Sequence, residues 1–194
     1  MEHNAIFDIR TADDFLHHAL RIFKFQHTHN PVYKAFCSYL NTDPNAVQTL
    51  EQIPFLPIEF FKSKSVLSST DAAEITFTSS GTTGSETSKH HVTDLSLYEE
   101  SYLKAFNHFY GDIEDYCVLA LLPSYLERTG SSLIYMADDL IKKSKHPKSG
   151  FFLNEYEQLY KLLVELQKTD AKILVIGVSF ALLEFTEQYQ LDLK

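Results

Sequence analysis

From Tyr116 to Gln190 the chain repeats one order, an apolar run of strand length followed by an amphipathic helix, and this restricts the fold more than any other feature. Tyr116–Leu122 is a continuous apolar run, the pattern of a strand buried on both faces of a parallel sheet. Periodicity and caps then predict a helix over Ser131–Ser144, a short strand over Gly150–Leu153, and a helix over Glu155–Lys168 capped by Asn154 with Glu157. A strand over Lys172–Gly177 and a helix over Ser179–Gln190 complete the pattern. Strand, helix, strand, helix requires crossover connections and hence parallel strands. In such sheets ligands gather beyond the carboxyl ends of the strands, which makes Pro123, Ser124, Tyr125 and Gly177 candidate substrate-binding residues. Arg128 and Gly130 stand beside the first of these ends. An arginine there can pair a carboxylate bidentately; the other reading of Arg128 is an exposed arginine at a helix start.

The opening of the chain is helical. Thr11-Ala12-Asp13-Asp14 supplies a cap with acids in the first turn, and Phe15, Leu16, Ala19, Leu20 and Phe23 follow at helical spacing over residues 12–28. Asn30-Pro31 caps a second helix with Val32, Phe36, Cys37 and Leu40 on its apolar face, and Asp43-Pro44 opens a third short helix to about Gln52. Pro54 and Pro57 force an extended strap, and Ile58–Lys62 makes one helical turn. The strap reads either as an entry segment across an active face or as a plain connector. Further on, Ser96-Leu97-Tyr98-Glu99 has the form of a capping box, and Tyr98, Tyr102, Phe106 and Phe109 form an aromatic core stripe before Gly111 stops the helix. The expected fold is therefore α/β. A helical segment with a Pro-rich strap, residues 1–63, precedes an α/β part, residues 64–194, with a mostly parallel sheet and flanking helices.

Between Glu74–Thr78 and Lys89–Val92, both of which read as short strands, packing gives way to polarity. Thr78, Ser79, Ser80, Thr82, Thr83, Ser85, Thr87 and Ser88 supply hydroxyls, and Gly81 and Gly84 stand three apart. Glycines at positive φ let backbone N–H groups converge on an anion, hydroxyls add rotatable donors, and Lys89 offers a point charge suited to phosphate. The plainer reading is a Ser/Thr/Gly hairpin tip without a ligand. The run is not a Walker A loop, because the position five after Gly81 is Glu86 and Lys89 is followed by His90.

Ser79-Ser80-Gly81-Thr82-Thr83-Gly84 resembles the phosphate-binding signature of the adenylate-forming superfamily, which makes acyl-adenylates from carboxylic acids and ATP. The continuation departs from that pattern: Thr87 stands at the usual lysine position and Lys89 comes two residues later. Ile53-Pro54-Phe55-Leu56-Pro57-Ile58-Glu59-Phe60-Phe61-Lys62-Ser63 and Leu121–Leu133 are similar to segments of its acyl-protein synthetase branch, the LuxE-type enzymes. The resemblance runs from about Ile53 through Leu133. It implies part of an adenylate-forming large domain that uses ATP and Mg²⁺ to activate a fatty acid and passes the acyl group to a thiol or an acceptor protein. On that reading Thr78, Ser79, Ser80, Gly81, Thr82, Thr83 and Gly84 bind the nucleotide, Lys89 and Arg128 are catalytic, and Pro123, Ser124, Tyr125, Gly130 and Gly177 border the acid. The family's later elements have no match before Lys194, so the chain is expected to be its amino-terminal part and not to turn over alone. The rival reading is a non-catalytic module of the same fold that holds a phosphate-bearing ligand or a protein. A serine hydrolase is disfavoured, since Gly81 and Gly84 lack the spacing of a Gly-x-Ser-x-Gly elbow.

Composition narrows the partners. With 194 residues, 44% of them hydrophobic, including 15 Phe and 11 Tyr, the chain can bury a full core. A net charge of −9 with no basic cluster beyond Lys142-Lys143-Ser144-Lys145 argues against nucleic acid. Cys37 and Cys117 lie in apolar stretches as buried thiols, and none of the 9 His stands at a zinc-ligand spacing. No apolar run reaches membrane-spanning length and the start carries no leader pattern, so the expected location is cytoplasmic.

Overall fold

The computed structural model describes residues 3–79, 87–123 and 130–190, and the chain divides into two compact units, residues 1–97 and 98–194. The boundary expected between residues 63 and 64 falls inside the first unit.

The first unit opens with a 3-10 turn, His3–Asp8, and helix α1, Ala12–His29. A capping box starts α1: the Asp14 amide donates to Thr11 Oγ1 at 3.1 Å and the Thr11 amide to Asp14 Oδ2 at 3.0 Å. The Thr11 side chain, with the Arg10 and Thr11 amides, holds the Asp14 carboxyl below the usual carboxylate range. Helix α2, Pro31–Tyr39, starts at Asn30, whose Oδ1 accepts from the amides of Val32 and Tyr33, both at 3.1 Å. Phe23, Tyr33, Cys37 and Val47 form the buried core of this unit, with Leu20, Phe36, Ile53 and Leu56 packed on it.

The third helix expected from Asp43-Pro44 to Gln52 is not formed; a turn and a 3-10 helix, Leu50–Gln52, take its place. Asp43 Oδ1 takes the Asn45 amide at 2.9 Å, and Gln52 Oε1 takes the amides of Gln48 at 2.8 Å and Thr49 at 3.2 Å. Side chains here satisfy donors that a helix would have used. After the strap comes the expected single turn, α3, Phe60–Ser63. Strands β1, Ile75–Thr78, and β2, Lys89–Val92, then pair antiparallel from Ile75 with Val92 to Thr78 with Lys89.

Helix α4, Leu95–Tyr110, is capped differently from the sequence expectation. Asp94 Oδ1 accepts the Ser96 amide at 3.1 Å, and the Leu95 amide donates to Glu74 Oε2 at 2.9 Å. Ser96 is thus inside the helix, and Glu99 accepts a hydrogen bond from the Tyr135 hydroxyl instead of closing a capping box. Tyr102 and Phe106 are core residues as expected, while Phe109 is 74% exposed. Gly111 ends the helix at φ 88°, its amide donating to the Asn107 carbonyl at 3.0 Å.

The rest of the second unit is the expected alternation: β3 Tyr116–Leu121, α5 Ser132–Ser144, β4 Gly150–Phe152, α6 Tyr156–Leu166, β5 Lys172–Gly177 and α7 Ser179–Gln188. The strands lie in the order β4-β3-β5, all parallel. Every residue from Cys117 to Leu122 is fully buried, and the pleat sends alternate side chains to opposite faces. Cys117, Leu119 and Leu121 join Leu159, Leu163 and Leu166 of α6 and Ala181 and Phe185 of α7. Ala120 and Leu122 join Ala137 of α5, and Leu140 of that helix packs with Tyr102 and Phe106. The cap of α6 is not Asn154: Glu155 occupies the position, its carboxylate accepting from the amides of Leu153 at 2.7 Å and Asn154 at 3.1 Å. Glu157 pairs with Lys161 at 2.6 Å. Among the described residues no helix is long and apolar enough to cross a membrane.

Gly177 shows why the end of β5 needs a glycine. A Cβ built there would lie 2.8 Å from Leu182 Cγ and 2.9 Å from the Leu121 carbonyl oxygen. The Gly177→Ala variant is therefore expected to lose about 1–3 kcal/mol through overpacking against a backbone atom, read as a lower urea midpoint with an unchanged slope.

Candidate functional site

In the first unit the hairpin is clasped where its strands run into the connecting segment. The Ser79 amide donates to the Ser88 carbonyl at 3.1 Å, and the Ser88 amide donates to Ser79 Oγ at 3.0 Å. That bond uses the oxygen of Ser79 as acceptor, and a hydroxyl has a donor as well. Thr78, half-buried, closes β1 opposite Lys89, which begins β2 and is exposed. Ser80, Gly81, Thr82, Thr83 and Gly84 lie outside the described residues. Of the two histidines that follow Lys89, His91 is tied to Thr76, Nδ1 to Oγ1 at 3.0 Å, and His90 stacks on Phe61 of α3 with ring centroids 6.0 Å apart.

Phe61 also lines a feature that the sequence did not announce, a cavity of about 600 Å³ within the same unit. Its walls include Ile6, Ile9, Ile22, Leu56 and Val66, so the strap between Pro54 and Leu56 forms part of it. Besides Gln26, the polar residues on the lining hold protein partners. Asn30 caps α2 and its Nδ2 donates to Ser68 Oγ at 3.4 Å, the Tyr33 hydroxyl donates to the Pro54 carbonyl at 2.6 Å, and His18 Nδ1 accepts from the Arg21 guanidinium at 3.3 Å. Burial pushes the Tyr33 hydroxyl above its ordinary range. The apolar residues that line a void have the same sequence signature as those that fill a core, and this hid the cavity from pattern analysis.

At the carboxyl edge of the parallel sheet, Pro123 is buried just beyond β3, and the Leu122 amide donates to the Phe152 carbonyl at 2.9 Å. Gly130 takes φ 91° immediately before Ser131, whose hydroxyl caps α5. Gly177 sits at the same edge, where a Cβ would run into Leu121 and Leu182. Ser124, Tyr125 and Arg128 lie outside the described residues.

Other reactive groups in the second unit are absorbed by packing. The Tyr102 hydroxyl donates to Asp139 Oδ2 at 2.6 Å, Tyr135 to Glu99 Oε1 at 2.5 Å and Tyr98 to the Ser132 carbonyl at 3.0 Å. The hydrogen bond to Glu99 pushes Tyr135 up to about 12, and burial raises Tyr102. These bonds tie α4 to α5. Cys117 and, in the first unit, Cys37 are fully buried, and burial raises both thiols, so neither presents a ready thiolate near neutral pH. Among the described residues no three His, Cys, Asp or Glu side chains cluster as metal ligands.

No curated protein and no solved structure matches the chain. A family description does: residues 5–108, which take in the cavity, the strap and the clasped hairpin, match the family described as "Acyl-protein synthetase, LuxE". With more than half of its length matched, the chain belongs to the LuxE acyl-protein synthetase family.

Proposed function

We propose that the chain binds ATP through the segment between Ser79 and Ser88 and serves the ATP-dependent activation of a fatty acid as its acyl-adenylate. In this chemistry an oxygen of the carboxylate attacks the α-phosphorus, the bond from that phosphorus to the bridging oxygen breaks, and pyrophosphate leaves with the electron pair. A thiolate of an acceptor then attacks the acyl carbon and AMP departs. Since Cys37 and Cys117 are both buried, the acceptor thiol is assigned to a group outside these 194 residues. Bound Mg²⁺ would neutralise phosphate charge on the nucleotide.

The residues of the hairpin suit such a ligand. Ser79 carries a hydroxyl, Lys89 places an exposed ammonium at the start of β2, and Ser80, Gly81, Thr82, Thr83 and Gly84 supply further hydroxyls and unencumbered amides. Positioning and charge neutralisation are the protein's main contributions to a reaction of this kind. Arg128, with Pro123, Ser124, Tyr125, Gly130 and Gly177, is proposed for the carboxylate end of the acid. The observation that carries the reading is the clasp, which presents a Ser/Thr/Gly run between two paired strands inside the stretch matched by the family.

Calorimetric titration with ATP and Mg²⁺ tests it. Gly81→Val denies the backbone a positive φ, at a strain of roughly 1–3 kcal/mol, and is expected to weaken ATP binding by about 5- to 150-fold with an unchanged melting temperature. Lys89→Met is expected to cost about 1.5–3 kcal/mol through loss of a charged hydrogen bond. ATP affinity untouched by Gly81→Val would remove the phosphate loop and favour a binding module without nucleotide chemistry.

A further inference from the structure

Resting on the acyl reading above, we propose that the cavity of the first unit seats the aliphatic chain of a long-chain carboxylic acid. Three observations point to this occupant. The volume, about 600 Å³, lies within the range of small-molecule sites, roughly 300–1,000 Å³. The lining is dominated by aliphatic and aromatic side chains, and the polar groups of Asn30, Tyr33 and His18 already hold protein partners. A ligand segment that asks for hydrogen bonds would find few here, whereas a run of methylenes asks for none. Finally, Phe61 is at once a wall of the cavity and the stacking partner of His90, one residue beyond Lys89 on the clasped hairpin. Phe61 thus joins the apolar seat to strand β2 of the hairpin within one unit.

Helix α1 forms one side through His18, Ala19, Ile22 and Gln26, a stripe at three- and four-residue spacing. The strap forms another through Pro54, Phe55 and Leu56. Phe55 is 79% exposed and Phe15, also on the lining, 51% exposed. Two large apolar rings left in water at the rim are what an entering chain would cover.

The test is a titration of the 194-residue chain with decanoate, dodecanoate and tetradecanoate by calorimetry, without nucleotide. One-to-one binding is expected, with affinity rising about fourfold per added methylene. Ala19→Phe, which fills the space beside α1, is expected to weaken tetradecanoate by at least about tenfold, and Phe61→Ala, which enlarges it, to shift the preference toward longer chains. Melting temperatures show whether each variant is folded, and the enlarging variant keeps the test decisive if the filling one is not. Absence of saturable binding, equal affinity for the three acids, or affinities indifferent to both substitutions would each overturn the proposal. Gly81→Val serves as the control that separates the two readings. Acid binding that survives in it while ATP binding is lost supports the cavity. ATP binding by a chain that takes up no acid overturns the cavity and leaves the nucleotide reading standing.

Discussion

Phe23→Ala is expected to destabilise the helical unit by about 3–5 kcal/mol, among the largest effects of any single truncation in this chain. The ring is 2% exposed and meets Tyr33 edge-on, centroids 6.1 Å apart at 90°. Truncation removes a buried aromatic surface and the edge-to-face contact, the latter worth about 0.5–1.5 kcal/mol beyond burial. It also widens a space that is already partly empty, since Phe23 lines the cavity, so little collapse can offset the loss. Amide hydrogen exchange gives a readout confined to the unit: protected amides of α1 and α2 should exchange roughly 100- to 5,000-fold faster. Phe55→Ala, at a ring 79% exposed, should stay within about 0.5 kcal/mol of wild type. If the two variants behaved alike, the assignment of Phe23 to the core would fail.

Leu119→Ala is expected to cost the second unit about 2–5 kcal/mol. Leu119 is fully buried at the middle of β3, facing Gly150 of β4 on one side and Val175 of β5 on the other in the ladder. Its side chain belongs to the cluster shared with α6 and α7, so the void would open where three elements meet and none can move alone. Amides of β3 should lose protection by roughly 30- to 5,000-fold, while those of α1 keep theirs. Protection of β3 within a factor of three of wild type would contradict this packing. Against a total stability of about 5–15 kcal/mol for a domain, either substitution consumes a large share.

Much of this architecture could be read from sequence because its signals are local. The apolar run at Tyr116–Leu122 required a two-sided burial, and Thr11 and Asn30 cap their helices with bonds to neighbours two or three residues away. Errors arose where a distant or competing partner decided the outcome. Glu99 looked like the closing member of a capping box, yet its carboxylate is taken by Tyr135 from another helix, a pairing no window of sequence contains. Asn154 lost the cap position of α6 to Glu155, whose carboxylate takes the amides of Leu153 and Asn154 ahead of the helix and none inside it. At the hairpin, the strands and the polar character of the tip were legible, whereas the Ser79 and Ser88 clasp needed coordinates. The cavity was illegible for a different reason, because an unfilled volume has no residue of its own.

The clasp carries an implication for how freely the segment between Ser79 and Ser88 can vary. Ser79 and Ser88 are joined by two hydrogen bonds, and Phe77, 7% exposed, anchors the strand behind them, so the stretch between has both ends fixed irrespective of its own composition. The entropy of closing such a stretch grows only logarithmically, with a doubling in length costing about 0.6 kcal/mol. The hairpin is in this sense a socket. Insertions, deletions and wholesale grafts of foreign sequence between Ser79 and Ser88 would leave the register from Ile75 to Thr78 intact, and the segment could diverge without renegotiating the fold.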